Sequence, residues 1–195
     1  GVPPHRMPRP ETVIEPVKKG EVYDLGRLDV GYVQIQPEGG LDTRPGLYVG
    51  ESVLEAMNTD AKHFEQSLLV RSEGESGWRS DIPLMARYIR LTGQRIKSVK
   101  FRSQVDWREP VGRFSCGDVR KERLWRTGVE TLRRCRRTFL LDGIKRDRLP
   151  WAADLVMAML AEARSFRNAE ILRRELAVLG SGNPKETQVN GILAY

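Results

Sequence analysis

The apolar positions change their spacing once along the chain. From Val22 they fall in short segments of alternating character: Val30 and Tyr32 alternate with Val33 and Ile35, and Leu47 and Val49 follow the break at Gly39-Gly40. The pattern resumes at Val53, then in Met85–Leu91 and in Ile96, Val99 and Phe101. Two-residue alternation between Gly-rich and polar breaks predicts strands of an antiparallel sandwich. Residues 59–80 are polar and read as a long loop. After Asp118, a good N-cap, the spacing turns helical: Leu124, Trp125, Val129, Leu132 and Phe139. A second helix is predicted from about Leu149 to Phe166. A third follows, capped by Asn168 and stopped by Gly180, with Ile171, Leu172, Leu176 and Leu179 inside. The first 20 residues hold Pro3, Pro4, Pro8, Pro10 and Pro16, so they form neither a helix nor a central strand and read as an extended lead-in.

Between the first two helices lies Asp142-Gly-Ile-Lys-Arg-Asp-Arg-Leu-Pro-Trp-Ala-Ala-Asp154. Asp142-Gly143 is a turn dipeptide in which Gly143 is free to take positive φ. Pro150 suits a first helical turn. Asp142, Asp147 and Asp154 can accept hydrogen bonds from hydroxyls, or one of them can hold a proton. Arg146 and Arg148 can donate forked hydrogen bonds. Trp151 offers a flat apolar face of the kind that covers a sugar ring. Carboxylates beside a tryptophan are the ingredients of glycosidase chemistry, in which one carboxyl is the general acid and others stay ionised. A turn stapled by ion pairs, Asp142 to Lys145 or Arg146 with Trp151 in the core, accounts for the same residues without chemistry.

Composition narrows the field. The 195 residues suffice for one domain or two small ones, and the net charge is +7. The arginines around Arg133-Arg134-Cys135-Arg136-Arg137 could meet phosphates, but no stacking aromatics accompany them, so they read as a solvated outer helix face with Leu132 and Phe139 inward. Cys116 and Cys135, with no CxxC and only two histidines, make neither a zinc pattern nor a disulfide framework. Both cysteines read as small buried side chains. Neither a metal nor a cofactor is expected, and no apolar run approaches membrane length.

The loop resembles the acidic signature of bacterial α-L-rhamnosidases, glycoside hydrolase family 78. Tyr23-Asp24-Leu25-Gly26-Arg27, Tyr48-Val49-Gly50-Glu51-Ser52, Arg87-Tyr88-Ile89-Arg90, Phe114-Ser115-Cys116-Gly117-Asp118 and Val189-Asn190-Gly191-Ile192 resemble the same family. The resemblance implies an α+β chain: an antiparallel β-sandwich over 21–107, after a lead-in over 1–20, then the first helices of an incomplete (α/α)6 barrel over 108–195. Three helices of roughly 15 residues, each rising ~1.5 Å per residue, cannot close such a barrel. The expectation is therefore a fragment, inactive alone, with the water-activating base beyond Tyr195.

The implied activity is hydrolysis of terminal α-L-rhamnose from a glycoside or polysaccharide with inversion. Asp147 is implied as the general acid, and Asp142, Arg146, Trp151 and Asp154 as the residues that hold the sugar. Two positions depart from many relatives: Asp147 stands where Glu is common, and Ala153 where glycine is. Alternatives are a non-catalytic carbohydrate-binding sandwich and a basic nucleic-acid module. Self-association through Leu155, Met159, Leu172 and Leu176 is also expected, whereas partners among nucleic acids or membranes are not. The compartment, aglycone and oligomeric state stay open.

Overall fold

The computed structural model describes residues 12–38, 43–60, 68–74, 77–146, 148, 149 and 151–180. Contacts divide the chain into a β unit, Arg9–Val105, and a helical unit that contains the chain from Asp106 onward.

The β unit is one antiparallel eight-stranded sheet. Its strands are β1 (Thr12–Ile14), β2 (Val17–Lys19), β3 (Val22–Pro37), β4 (Gly46–Gly50), β5 (Val70–Ser72), β6 (Trp78–Ser80), β7 (Leu84–Thr92) and β8 (Ile96–Ser103). The 16-residue β3 is its spine. One edge of β3 pairs with β2 and then β8, the other with β7 and then β6. The change from β2 to β8 comes across a register break between Asp24 and Asp29, and β7 pairs with β3 on both sides of that break. A bulge of this kind bends a strand and lets it serve two layers.

The residues that resemble a family motif turn out to build that bend. Gly26 has φ 77°, a conformation that a side chain strains. Asp24 Oδ1 accepts from Gly26 N at 2.7 Å, and Asp24 Oδ2 pairs with Lys19 at 2.7 Å. Fully buried Asp29 accepts from Val30 N and the Ser103 hydroxyl, both at 2.7 Å, and from Arg27 Nε at 3.1 Å. The bend lets both ends of β3 close over one core, in which Leu25, Val33, Ile35, Leu47, Ile89 and Phe101 meet.

Two expectations for this unit fail. The strand does not resume at Val53; helix α1 (Val53–Met57) begins there. Ser52 Oγ accepts from Glu55 N, and Glu55 Oε2 accepts from Glu51 N. This reciprocal cap was visible as Ser52-Val53-Leu54-Glu55. Nor is 59–80 a plain loop, since β5 and β6 pair within it and Glu73 N donates to Gly77 O at 2.8 Å.

The helical unit holds α2 (Val119–Cys135), α3 (Ala152–Ser165) and α4 (Ala169–Gly180). Asp118 Oδ1 accepts from Arg120 N and Lys121 N. Glu122 gathers the Cys116 and Gly117 amides and the Ser115 hydroxyl, so Phe114–Asp118 is a shaped helix entrance. Asn168 caps α4 through Glu170 N and Ile171 N. Val129, Leu132, Leu140, Leu155, Phe166 and Ile171 form the core, with Met159 and Leu172 packed against it. Leu155 is 1% exposed, so the expected exposed surface loses that member; Leu176, at 60%, keeps its place. Among the described residues no helix is long and apolar enough to cross a membrane.

The arginine run departs furthest from expectation. Arg133 and Arg136 are 3% and 6% exposed. Positions 129, 132, 133 and 136 share one helical face, so these arginines lie on the buried stripe. They are tolerated there because partners meet them. Arg133 Nη1 donates to the carbonyls of Asp106 and Arg108, and its Nε donates to Glu130 at 3.1 Å. Arg133 also stacks on Trp107 and Phe166. The cysteines differ too: Cys116 is exposed and Cys135 half-buried.

Candidate functional site

The chain enters the candidate loop through a narrow neck. Arg136 and Leu140 form an antiparallel bridge, and Leu141 N donates to Cys135 O at 3.1 Å. The Arg136 guanidinium lies over the Phe166 ring at 4.1 Å. Its Nε is 2.7 Å from Glu162 Oε2 of α3, an ion pair aligned too poorly for a hydrogen bond. Arg136 also lies 3.7 Å from Asp106, whose carboxyl Arg108 holds below the usual range. Burial pushes the Glu162 carboxyl up, against the pull of Arg136. Close packing continues at Gly112, whose N–H donates to Ser165 O at 2.7 Å; a Cβ at Gly112 would collide with the Arg164 carbonyl.

Beyond the neck, Asp142 and Leu149 close the loop with two hydrogen bonds. Asp142 N donates to Leu149 O at 3.1 Å, and Leu149 N donates to Asp142 Oδ1 at 3.0 Å. Asp142 is therefore a loop clasp as well as an exposed carboxylate. Buried Ile144 anchors the loop from inside. Among the described residues of the loop, the left-handed one is Arg148, φ 58°; Gly143, which is free to take positive φ, does not take it. A non-glycine residue held there costs about 1 kcal/mol, and such residues concentrate where the surrounding structure over-determines the backbone. Arg148 is half-buried, and desolvation pushes its guanidinium below the ordinary value.

Among the expected sugar-holding residues, Arg146 is exposed beside Lys145. Trp151 is the half-buried N-cap residue of α3, and its carbonyl accepts from Leu155 N at 2.9 Å. Asp154 is exposed in the first turn of α3, where a carboxylate complements the helix dipole. Asp147, the expected acid, lies outside the described residues, as do Pro150 and the Val189–Ile192 stretch. Among the described residues, no group of three or more His, Cys, Asp or Glu side chains could hold a metal ion.

Sequence reading missed the residues that support this loop: Arg136, Glu162 and Glu175. A signal was present. Glu162 follows Leu155 and Met159 at helical spacing, and Glu175 follows Ile171 and Leu172. A carboxylate on an apolar stripe is buried, and a buried carboxylate needs a partner.

No family model matches the sequence, and no curated protein matches it significantly. Solved structures do. A rhamnosidase from Klebsiella oxytoca with rhamnose bound superposes with a TM-score of 0.62 at 18% identity, over 85% of this chain. The fold is that of part of a rhamnosidase. A GH78 family rhamnosidase of Bacillus sp. GL1 superposes with a TM-score of 0.56 at 19% identity, over 88% of this chain. The chain spans 36% of the first rhamnosidase and 19% of the second. The rhamnosidase likeness is one of fold, and it agrees with the motif resemblance read from the sequence.

Proposed function

We propose that this chain carries the acid side of an α-L-rhamnosidase site, on the loop between α2 and α3. Asp147 gives its proton to the glycosidic oxygen as the bond to the sugar's anomeric carbon breaks. Water, deprotonated by a second carboxylate, attacks that carbon from the opposite face, and the configuration inverts. Asp142, Arg146 and Asp154 hold the rhamnose hydroxyls, while Trp151 covers a ring face. The reading leans on one observation above others: the fold is shared with a rhamnosidase solved with rhamnose bound, and the family-like acidic loop occurs within that fold. The exposure of Asp142 and Arg146 on a loop clasped at both ends, and of Asp154 in the first turn of α3, supports a solvent-facing binding role. An inverting reaction needs carboxyls on both faces, about 6.5–9.5 Å apart. The loop supplies one side, so the chain by itself is proposed to be inactive.

Titration with L-rhamnose, followed by NMR, tests the binding half. Shifts at the Trp151 indole and at the Asp142 and Asp154 amides are expected, with a Kd on the order of millimolar for so small a ligand. Trp151→Ala should remove them. A wild-type spectrum unmoved by rhamnose overturns the reading. Nitrophenol release from an aryl α-L-rhamnoside should stay at the buffer blank; release above it would place both carboxyls on this chain.

A further inference from the structure

We propose that Glu175 of α4 is a positioning residue for the 142–149 loop, acting through the Leu140 amide; that the loop is a sugar site rests on the reading above. Leu140 and Glu175 are both 0% exposed. The Leu140 N–H donates to Glu175 Oε1 across 35 positions of sequence. A buried backbone N–H must find an acceptor, and this one finds it on another helix, not in its own strand or turn.

The loop inherits its position from Leu140. Leu141 bonds back to Cys135, and Asp142 then clasps Leu149 through two hydrogen bonds. Leu149 lies two residues before Trp151. Glu175 thus grips one side of the neck from α4, while Glu162 grips Arg136 on the other side from α3. Two helices hold the neck of the loop through carboxylates, Glu162 of α3 on Arg136 and Glu175 of α4 on Leu140. Glu175 Oε2 has no hydrogen-bond partner among the described residues. Burial pushes the carboxyl up to about 7, although the Leu140 bond pulls the other way. Near neutral pH the neutral acid is therefore abundant, and a neutral amide carrying the same acceptor should hold the loop equally well.

Amide hydrogen exchange in the full chain tests this. Glu175→Leu keeps the bulk and removes the acceptor; exchange at Leu140 and Leu149 should rise about tenfold or more, while Glu122 and Arg136 amides stay within about threefold. Glu175→Gln should restore wild-type protection at both positions. If Leu140 and Leu149 stay protected in Glu175→Leu, or if all these amides loosen in parallel, the proposal is overturned. Should Glu175→Leu fail to fold, Glu175→Asp decides, because its carboxyl stops one methylene short: selective loss at Leu140 and Leu149 supports the role, and parallel loss overturns it.

A rhamnose titration of the same variants separates this proposal from the functional one. Weaker binding in Glu175→Leu, recovered in Glu175→Gln, supports both. If wild type binds no rhamnose, the sugar site falls and the exchange result alone decides the positioning role.

Discussion

The two units bury charge in opposite ways. In the β unit, Asp24 and Asp29 draw most of their hydrogen bonds from residues no more than five positions away; among the described residues Ser103 is a distant donor to Asp29, and Arg87 lies 3.7 Å from Asp24. These carboxylates shape a bulge within a strand. In the helical unit, Glu162 reaches Arg136 and Glu175 reaches Leu140, each from another element. The difference comes from backbone chemistry. Sheet strands are registered by their own ladder hydrogen bonds, so side chains need only adjust local shape. Helices satisfy their backbones internally, so nothing but side chains can register one against another. Buried ion pairs add little net stability, but removing one partner strands the other.

That contrast can be broken by removing one charge. Glu162→Ala should destabilise the helical unit by about 3 kcal/mol, because buried Arg136 loses its nearer carboxylate and keeps Asp106 at 3.7 Å. The double variant Arg136→Met with Glu162→Leu should recover most of the loss. Urea unfolding followed by residue-resolved exchange would show α2–α4 melting early while β3, β7 and β8 stay protected; equal loss in both units would dissolve the distinction.

A smaller separation is expected from pH. The Glu175 carboxyl is raised in the folded chain from the usual 4.5 to about 7 by burial. Folding therefore favours its protonated form: this contribution is fully present below pH 4.5 and is lost as pH rises through 7. At about 1.36 kcal/mol per pH unit the full span is roughly 3 kcal/mol. Asp24 behaves oppositely, since Lys19 above all holds its carboxyl below the usual 3.8. Its contribution is present above 3.8 and is lost as pH falls through the lowered value. Asp106, held down by Arg108, adds an acid limb to the helical unit as well. The limb on raising pH should thus belong to the helical unit, and Glu175→Gln should flatten it in melts taken from pH 5 to pH 8. A β unit that loosens equally over that range would contradict the assignment.

The smallest effects sharpen the comparison at the surface. Asp118→Ala removes the acceptor for two amides at the start of α2 and should cost about 1 kcal/mol. Arg71→Ala breaks an exposed pair with Asp81 at 3.8 Å and should change stability by less than about 1 kcal/mol. Thermal melts of the two variants should differ in that order.

Much of this was legible beforehand where the cause is local. The change of spacing near Asp118 separates strands from helices because side-chain direction repeats every two residues in one and every 3.6 in the other. Asp118 and Asn168 announced helix starts, since a short polar side chain reaches its own neighbouring amides. Ser52-Val53-Leu54-Glu55 carried the same kind of signal for α1. The acidic loop could be found, and its order of residues pointed to a rhamnosidase-like fold.

Tertiary structure decided the rest. Whether Arg133 and Arg136 face water depends on Trp107, Phe166, Asp106 and Glu162, groups supplied by other segments. Their spacing gave the face, but only packing shows that this face is covered. Positive φ falls on Arg148, and not on Gly143 that could take it freely, beside the closure between Asp142 and Leu149. Glu175 could not be linked to Leu140 from sequence, because a hydrogen bond across 35 residues exists only once α4 has docked. Local propensity writes the elements and their caps; the partners of a buried charge are set by which elements meet.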